Sequence, residues 1–262
     1  MTDYQFKPGL VGMVSGAGSG IGRATALQLG RSGIRVAVGD VDEVGGETTA
    51  AQIREAGGVA HFQRVDVTDE DEVNHWVEGT VAEWGRLDYQ FNNAGINGPT
   101  AKLLEYSAES FAHVITTNLL SVSLCMRAGV RQMVKDGGGA IVNTGSTASL
   151  TGYAMLSAYV AAKHGVLGLT RSVAREYADV PIRVNCVCPG PTVTPLMQGI
   201  EESINPDDPG SVREAFAQTT ALKRYASPSE IADVVTFLLS DSAAYVTGAA
   251  YAVDAGVTAG IG

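Results

Sequence analysis

The chain has 262 residues, of which 45% are hydrophobic, 18% are charged and 32 are glycine, and its formal net charge is −10. This composition excludes a disordered chain, a collagen and a coiled coil. The acidic balance disfavours nucleic acid and anionic membranes as partners, because both require a basic surface, and no apolar run reaches the roughly 18 residues of a membrane span. We expect one large α/β domain over residues 1–262.

Short β-branched runs alternate with longer segments of helical periodicity. The predicted strands are 10–15, 34–39, 59–65, 87–92, 140–144, 181–188 and 250–253. The predicted helices include 23–31, one extended helix over 107–135, 157–177 and a helix that begins near Pro228. Such alternation predicts a parallel sheet of about seven strands that is covered by helices on both faces.

The segment 194–222 interrupts the alternation after the sixth predicted strand. It contains the linker-like stretch Asn-Pro-Asp-Asp-Pro-Gly at 205–210. An insertion at the carboxyl end of a strand lies where open α/β sheets bind ligands. We therefore expect 194–222 to form a lid over a substrate.

Three cysteines, Cys125, Cys186 and Cys188, do not support a disulfide framework, which suits a reducing cytoplasm. Cys186 and Cys188 alternate around Val187, so both side chains are expected on one face of a buried strand. The four histidines are scattered without metal-ligand spacing, and no metal site is expected.

A glycine-rich turn, Ser-Gly-Ala-Gly-Ser-Gly-Ile-Gly at 15–22, joins the first predicted strand to the helix after it. Gly16, Gly20 and Gly22 are spaced as Gly-x-x-x-Gly-x-Gly. Glycines permit close approach of the backbone to a ligand, and a helix N-terminus offers free N–H groups and the positive end of the helix dipole. The turn therefore predicts a pyrophosphate-binding site.

Asp40 ends the second predicted strand, about twenty residues after the turn. A carboxylate at that place hydrogen-bonds the adenosine ribose diol and repels a 2′-phosphate. Val41 rather than a basic residue follows it, and the glycine-rich turn contains no Arg or Lys. The sequence favours NAD over NADP.

Tyr159 and Lys163 are four residues apart on a predicted helix and share one face. An adjacent ammonium favours the phenolate form of a tyrosine. Lowering the pKa of Tyr159 from about 10 towards about 7 takes about 4 kcal/mol. We expect Lys163, together with an oxidised nicotinamide, to lower the pKa in this way and make Tyr159 a base.

Together with further matches in the same order, these motifs resemble the short-chain dehydrogenase/reductase family from about Gly9 to the end of the chain. The further matches are Asp66-Val67, Asn92-Asn93-Ala94-Gly95, Asn118, Ser146, and Pro189-Gly190 followed by Thr194. Ser146 stands thirteen residues before Tyr159, as family members show, and Ser15 stands where threonine is usual. The resemblance implies a Rossmann-like, doubly wound fold.

The resemblance also implies roles for single residues. Tyr159 would be the general acid/base, and Lys163 would be its pKa partner and bind the nicotinamide ribose. Ser146 would orient the substrate oxygen, and Asn118 would hold a water that relays protons to Lys163. The implied cofactor-binding residues are Gly16, Ser19, Gly20, Ile21, Gly22, Asp40, Asp66, Val67, Asn93, Ala94, Gly95, Tyr159, Lys163, Gly190, Thr192 and Thr194.

The substrate pocket is expected just after Ser146, with Asn97, Pro191 and lid residues closing it. The expected lining is Thr147, Ala148, 151–155, Leu196, Met197 and Ile200, and the expected substrate-binding residues are Ser146, Ala148, Tyr153 and Tyr159. No Arg or Lys is placed to bind a carboxylate or a carrier arm. An uncharged secondary alcohol or ketone fits best, and the chain looks most like family members that act on alicyclic alcohols.

Two alternatives remain open at this point. A 3-oxoacyl thioester reductase would usually prefer NADPH and would need a basic surface for an acidic carrier, which Asp40 and the net charge of −10 oppose. A catalytically inactive dinucleotide-binding sensor would be expected to lack one of Asn118, Ser146, Tyr159 and Lys163. The resemblance further implies a homo-oligomer, either a dimer or a tetramer, with 107–135 and 157–177 as contact faces.

Overall fold

A seven-stranded parallel sheet forms the centre of the computed structural model, which describes residues 6, 7 and 9–260. The strand order is β3-β2-β1-β4-β5-β6-β7, so the chain turns back between β1 and β4 and leaves a crevice at their carboxyl ends. The predicted sheet is confirmed. Its strands are β1 (Val11–Ser15), β2 (Arg35–Asp40), β3 (Val59–Arg64), β4 (Tyr89–Asn92), β5 (Gly139–Thr144), β6 (Ile182–Pro189) and β7 (Ala250–Val253).

Helices cover both faces of this sheet. They are α1 (Gly20–Arg31), α2 (Glu43–Glu55), α3 (Glu70–Trp84), α4 (Ala108–Ile115), α5 (Ser121–Asp136), α6 (Ser157–Glu176), α7 (Pro195–Ile204), α8 (Pro209–Thr219) and α9 (Pro228–Leu239). The α3, α5 and α6 side packs around Met13 and Trp76, and the α1, α2 and α9 side packs around Val14 and Leu29. Strand residues are thus buried on both sides, as parallel sheets require.

The predicted helix over 107–135 is correct in extent but wrong in continuity. A π-helical turn, Thr116–Leu120, separates α4 from α5. Inside this turn the Asn118 side chain is fully buried and exchanges two hydrogen bonds with the backbone of Ile96: Oδ1 accepts from the N–H at 2.8 Å and Nδ2 donates to the C=O at 2.7 Å. These bonds satisfy a polar side chain that a regular helix would leave unpaired.

The segment between β6 and α9 forms two helices, α7 and α8, beside the carboxyl edge of the sheet. Two hydrogen bonds connect α7 to the segment that follows β4. Asn97 Nδ2 donates to the carbonyl of Leu196 at 2.6 Å, and the hydroxyls of Thr100 and Ser203 lie 3.0 Å apart. Among the residues described, no helix combines the length and apolar character needed to cross a membrane.

Replacing Gly22 by alanine is expected to destabilise the fold. A Cβ at Gly22 would collide with the carbonyl oxygen of Gly16 and would lie 2.7 Å from Asn93 Nδ2, and overpacking of this kind is worth roughly 1–3 kcal/mol. Gly79 in α3 is the matched control, because its nearest neighbour, Gln63 Oε1, would lie 3.6 Å away. Gly79→Ala is expected to stabilise by roughly 0.5–1 kcal/mol. Urea unfolding measures both, and a Gly22→Ala protein as stable as the wild type would contradict this packing.

Candidate active site

A cavity of about 700 Å³ opens at the carboxyl edge of the sheet, where the segments after β1 and β4 meet. Gly22 lies outside its lining and is buried beneath Gly16. The other site residues predicted from the sequence all line it: Gly16, Ser19, Gly20, Ile21, Asp40, Asp66, Val67, Asn93, Ala94, Gly95, Asn118, Ser146, Ala148, Tyr153, Tyr159, Lys163, Gly190, Thr192 and Thr194.

The glycine-rich turn is attached directly to the end of β4. Ser15 Oγ accepts the N–H groups of Asn93 and Ala94 at 3.0 and 3.3 Å, and Asn93 Nδ2 donates to the carbonyl of Gly16 at 3.1 Å. Gly16 has φ +61°, and a Cβ there would lie 2.8 Å from the Cα of Ala94. Only glycine fits, because both the left-handed backbone and the close contact exclude a side chain.

The start of α1 suits the phosphates of a dinucleotide. Its N-cap residue, Ser19, makes no side-chain capping bond, and the first turn contains no acidic residue. The N–H groups of that turn are therefore left for an anion beside the cavity lined by Gly20 and Ile21. This uncapped helix end fits a pyrophosphate.

Asp40, at the end of β2, holds the outer part of the turn. One carboxylate oxygen accepts the N–H of Gly18 at 2.7 Å and the other accepts the N–H of Asp42 at 2.9 Å. Arg23 lies nearby, but its guanidinium is engaged by the carbonyls of Gly18 and Gly45 and by the hydroxyl of Thr49. The group that Asp40 presents at this corner of the cavity is a carboxylate fixed by two backbone N–H groups.

Asp66 and Val67, after β3, form another part of the cavity wall. The hydroxyl and N–H of Thr68 donate to one Asp66 oxygen at 2.7 and 2.9 Å. These bonds lower the pKa of the Asp66 carboxyl below its usual value. Asp66 is consequently an ionised acceptor at neutral pH.

The same cavity is also lined by Ser146, Tyr159, Lys163 and Asn118. Ser146 begins the turn Thr147–Ser149 that follows β5, and Tyr159 and Lys163 lie on α6. Lys163 Nζ is 5.6 Å from the centre of the Tyr159 ring and donates to the carbonyl of Thr144 at 2.7 Å. The four predicted catalytic groups, from three separate elements, thus share one site.

Burial shifts the pKa values of two residues in this group. Burial lowers the pKa of Lys163 to about 8, and the side chain is only 4% exposed. Burial also raises the pKa of Tyr159 above its usual value, although a hydrogen bond with Ser146 acts in the other direction. In the protein chain alone, loss of hydration opposes both charges. The expected lowering of the Tyr159 pKa by Lys163 and an oxidised nicotinamide together stays a prediction about the cofactor-bound site.

Ser149 connects the two halves of this group and was missed by sequence reasoning. Its hydroxyl accepts the N–H of Ser146 at 3.1 Å and donates to the carbonyl of Lys163 at 2.8 Å. The side chain is 2% exposed. The turn after β5 and helix α6 are consequently held in a fixed relation by one hydroxyl.

Cys186 and Cys188 lie under the same turn, on one face of β6 as predicted. Both are buried free thiols, and their sulfur atoms are 3.9 Å apart. A Cβ at Gly145 would lie 2.7 Å from Cys186 Sγ and 3.1 Å from Cys188 Sγ. Within the residues that the structure describes, no group of three or more His, Cys, Asp or Glu side chains could hold a metal ion.

The substrate side of the cavity was predicted in part. Of its expected lining, Thr147, Pro191, Leu196, Met197 and Ile200 are confirmed. Asn97 does not line the cavity and binds the backbone of Leu196, and Thr151, Gly152, Ala154 and Met155 also lie outside the lining. The lining residues that sequence reasoning missed include Ile96, His113, Thr117, Leu156, Phe216, Thr219 and Val257. They lie outside the motifs, so only the folded chain brings them together.

Comparison with known proteins agrees with this architecture. A family model described as "Enoyl-(Acyl carrier protein) reductase" matches residues 16–258. The chain is 44% identical to cis-4-hydroxycyclohexanecarboxylate dehydrogenase of Sinomonas cyclohexanicum, over 95% of this chain and 96% of that protein. It is 41% identical to cyclohexanol dehydrogenase of Acinetobacter sp. (strain SE19), over 95% and 94% of the two chains.

Solved structures show the same fold. Levodione reductase superposes with a TM-score of 0.95 at 37% identity, covering 97% of this chain and 100% of that one. NAD+-bound xylitol dehydrogenase gives 0.90 at 34% identity, covering 94% and 98%. A single-residue variant of actinorhodin polyketide ketoreductase with NADPH gives 0.88 at 35% identity, covering 95% and 97%.

The chain belongs to the short-chain dehydrogenase/reductase family, and its doubly wound sheet is the Rossmann-like fold of that family. Within the family it is an oxidoreductase that acts on secondary alcohols or ketones with a nicotinamide dinucleotide.

Burial of Lys163 should make the free energy of unfolding depend on pH. The pKa of Lys163 falls from 10.5 to about 8 on folding, so between these values this side chain binds more protons in the unfolded chain than in the folded one. The contribution of Lys163 to the free energy of unfolding should therefore rise with pH across this window, by on the order of 3 kcal/mol.

Lys163→Met is expected to abolish this rise, and Lys135→Met, which removes an exposed lysine of α5, is expected to keep it. Urea unfolding at several pH values between 7 and 10.5 measures the difference between each variant and the wild type. Parallel pH profiles for Lys163→Met and the wild type would show that Lys163 is not the buried ammonium described above.

Proposed function

We propose that this protein is an NAD-dependent dehydrogenase that interconverts an uncharged alicyclic secondary alcohol and its ketone. The observation that carries the proposal is that Ser146, Tyr159, Lys163 and Asn118 line the same cavity as the uncapped start of α1. A proton-transfer group and a dinucleotide cradle therefore face one space.

The choice of NAD over NADP is supported by Asp40. Its carboxylate is fixed by the N–H groups of Gly18 and Asp42 at the edge of the cavity. A 2′-phosphate placed there would meet a fixed negative charge. The guanidinium of Arg23, the basic group nearby, is already bound to backbone and Thr49 oxygens.

When bound, the nicotinamide supplies or accepts the hydride. The chain's own residues handle the proton and the position of the substrate. Tyr159 donates its hydroxyl proton to the substrate oxygen during reduction and takes it back during oxidation. Ser146 hydrogen-bonds the same oxygen, and buried Lys163 places a positive charge near the phenol without contacting the substrate.

Asn118 fits the role of positioning residue for a proton relay. Its amide is fixed by Ile96 on one side, and a Cβ at Gly95 would lie 2.7 Å from Asn118 Oδ1 and 3.8 Å from Lys163 Nζ. The absence of a side chain at Gly95 keeps the space between these two polar groups open. A water in that space would connect them.

The substrate class is supported by the lining of the cavity. The wall near Ala148 is formed mainly by apolar side chains, including Ile96, Leu156, Leu196, Met197, Ile200, Phe216 and Val257, and Lys163 is the one Lys or Arg among the described lining residues. Apart from Lys163, which donates to the Thr144 carbonyl, the described lining offers no Lys or Arg to a substrate carboxylate. By their names, the related cyclohexanol dehydrogenase acts on an uncharged six-membered ring and the related cis-4-hydroxycyclohexanecarboxylate dehydrogenase on a six-membered ring that carries a carboxylate.

The remaining expectations belong to the same proposal. The chain acts as one domain, with α7 and α8 as the lid over the substrate. It forms a dimer or tetramer through the outer faces of α4, α5 and α6. A reducing, cytoplasmic location is supported by the three free thiols.

The function is tested with uncharged cyclic and open-chain secondary alcohols and their ketones, assayed with NAD(H) and NADP(H) in parallel by nicotinamide absorbance. NAD-linked turnover of the cyclic substrates is expected. Tyr159→Phe removes the proton donor and should lower kcat by roughly 10²–10⁴-fold while cofactor fluorescence titration still shows binding. Turnover confined to acyl thioesters with NADPH would replace this proposal by a thioester reductase, and binding without any turnover would indicate a sensor.

The cofactor preference is tested with Asp40→Asn and Asp40→Ala. Asn keeps the size and one acceptor oxygen of the side chain but removes its charge. Both variants should lower the ratio of kcat/KM with NAD to kcat/KM with NADP by roughly 10–100-fold, since a hydrogen bond to a charged group is worth about 1.5–3 kcal/mol. Asp71→Ala, at an exposed position in α3, is the control. An unchanged ratio in both Asp40 variants would remove Asp40 from ribose recognition.

A further inference from the structure

A second pair of hydroxyl groups lies in the cavity beside the Ser146 and Tyr159 pair. Tyr153 OH donates a hydrogen bond to Thr147 Oγ1 at 3.0 Å, and both residues line the cavity. Thr147 is 6% exposed, so its hydroxyl lies in the interior, whereas the Tyr153 ring is 37% exposed. A polar pair therefore sits within a wall that is otherwise largely apolar.

The hydrogen of the Thr147 hydroxyl has no acceptor among the described residues, since its oxygen accepts from Tyr153 and makes no further bond. Thr117, which also lines the cavity, has a buried hydroxyl without a partner among the described residues, whereas two other lining threonines use their hydrogens internally. Thr219 donates to the carbonyl of Phe216 at 2.7 Å, and Thr192 donates to the carbonyl of Gly190 at 2.9 Å. Thr147 thus brings an oriented and available donor to the cavity.

Thr147 also has a defined relation to the reacting centre. It directly follows Ser146, and the Cα atoms of consecutive residues are about 3.8 Å apart. Both belong to the short turn Thr147–Ser149 and its cap, which Ser149 ties to α6. Ser146, Thr147 and Tyr159 line the same cavity, so one ligand would face all three side chains.

We propose that Thr147, oriented by Tyr153, binds a second oxygen on the substrate ring. The substrate class would be an alicyclic ring with two neutral oxygen functions, that is, a diketone, a hydroxyketone or a diol. The inference rests on the proposed alicyclic dehydrogenase function and narrows it. A carbonyl or hydroxyl oxygen fits better than a carboxylate, because a lone hydroxyl donor cannot replace the cation that a buried carboxylate needs.

The test compares kcat/KM for cyclohexanone and for the matching para-diketone, both with NADH. The diketone has two equivalent carbonyls, which alone gives a factor of two. The wild type is expected to prefer the diketone by roughly tenfold or more, since one well-placed hydrogen bond contributes about 0.5–1.5 kcal/mol and a site built for it disfavours ligands that leave it unpaired.

Thr147→Val removes the donor at nearly constant volume and should lower the ratio of diketone to monoketone kcat/KM by roughly three- to tenfold. Thr147→Ser keeps the hydroxyl and should retain the ratio. Tyr153→Phe should lower the same ratio by a smaller factor, because Tyr153 acts through Thr147. The variant with both Thr147→Val and Tyr153→Phe should lower the ratio no further than Thr147→Val alone. Thr48→Val is the control: its hydroxyl is bound to the carbonyl of Val44 within α2, outside the cavity lining, so the ratio should stay within about twofold of the wild type.

Three results would overturn the proposal. The first is wild-type turnover of cyclohexanone without preference for the diketone, which leaves the dehydrogenase function intact. The second is an equal decrease of kcat/KM for both ketones in Thr147→Val, which would show that Thr147 only stabilises the conformation of the turn. The third is a wild type inactive on both ketones but active on another class, which would remove this inference and the alicyclic function together. If Thr147→Val does not fold, Tyr153→Phe and Thr147→Ser still decide between these results.

Discussion

The site depends on the close packing of the backbone after β1 against the backbone after β4. The Ser15 hydroxyl takes two N–H groups of the second segment, and Gly16 approaches Ala94 so closely that a Cβ would lie 2.8 Å from its Cα. This packing brings the start of α1 to the crevice at which the strand order reverses. The start of α1 and the proposed catalytic side chains therefore line one cavity.

The second constraint is the exclusion of water from the site, which affects the charge of both Lys163 and Tyr159. The same burial lowers the pKa of Lys163 and raises that of Tyr159, so each group is biased towards its neutral form. Ionisation of the Tyr159 phenol therefore needs additional positive charge near it.

The sequence predicted the sheet and most of the cavity because both depend on local patterns. Alternating strands and helices gave the seven strands, and the motifs stand at strand ends, which a parallel sheet places at one edge. The bridge made by Ser149 and the lining by Phe216 depend on how separate elements are oriented, and no local pattern encodes that. The raised pKa of Tyr159 in the chain alone likewise depends on burial, which is a property of the folded chain.

The position of Gly145 has a consequence for how this sequence can vary. Its Cα faces both sulfur atoms of β6 and the Ser149 hydroxyl, and an added Cβ would approach all three within 2.7–3.1 Å. A larger residue at 145 is acceptable only if 186, 188 or 149 becomes smaller in the same lineage. Residue 145 and residues 186 and 188, about forty positions apart in the chain, are therefore expected to be substituted together. Their covariation should depend on the packing of the turn after β5 rather than on the identity of the substrate.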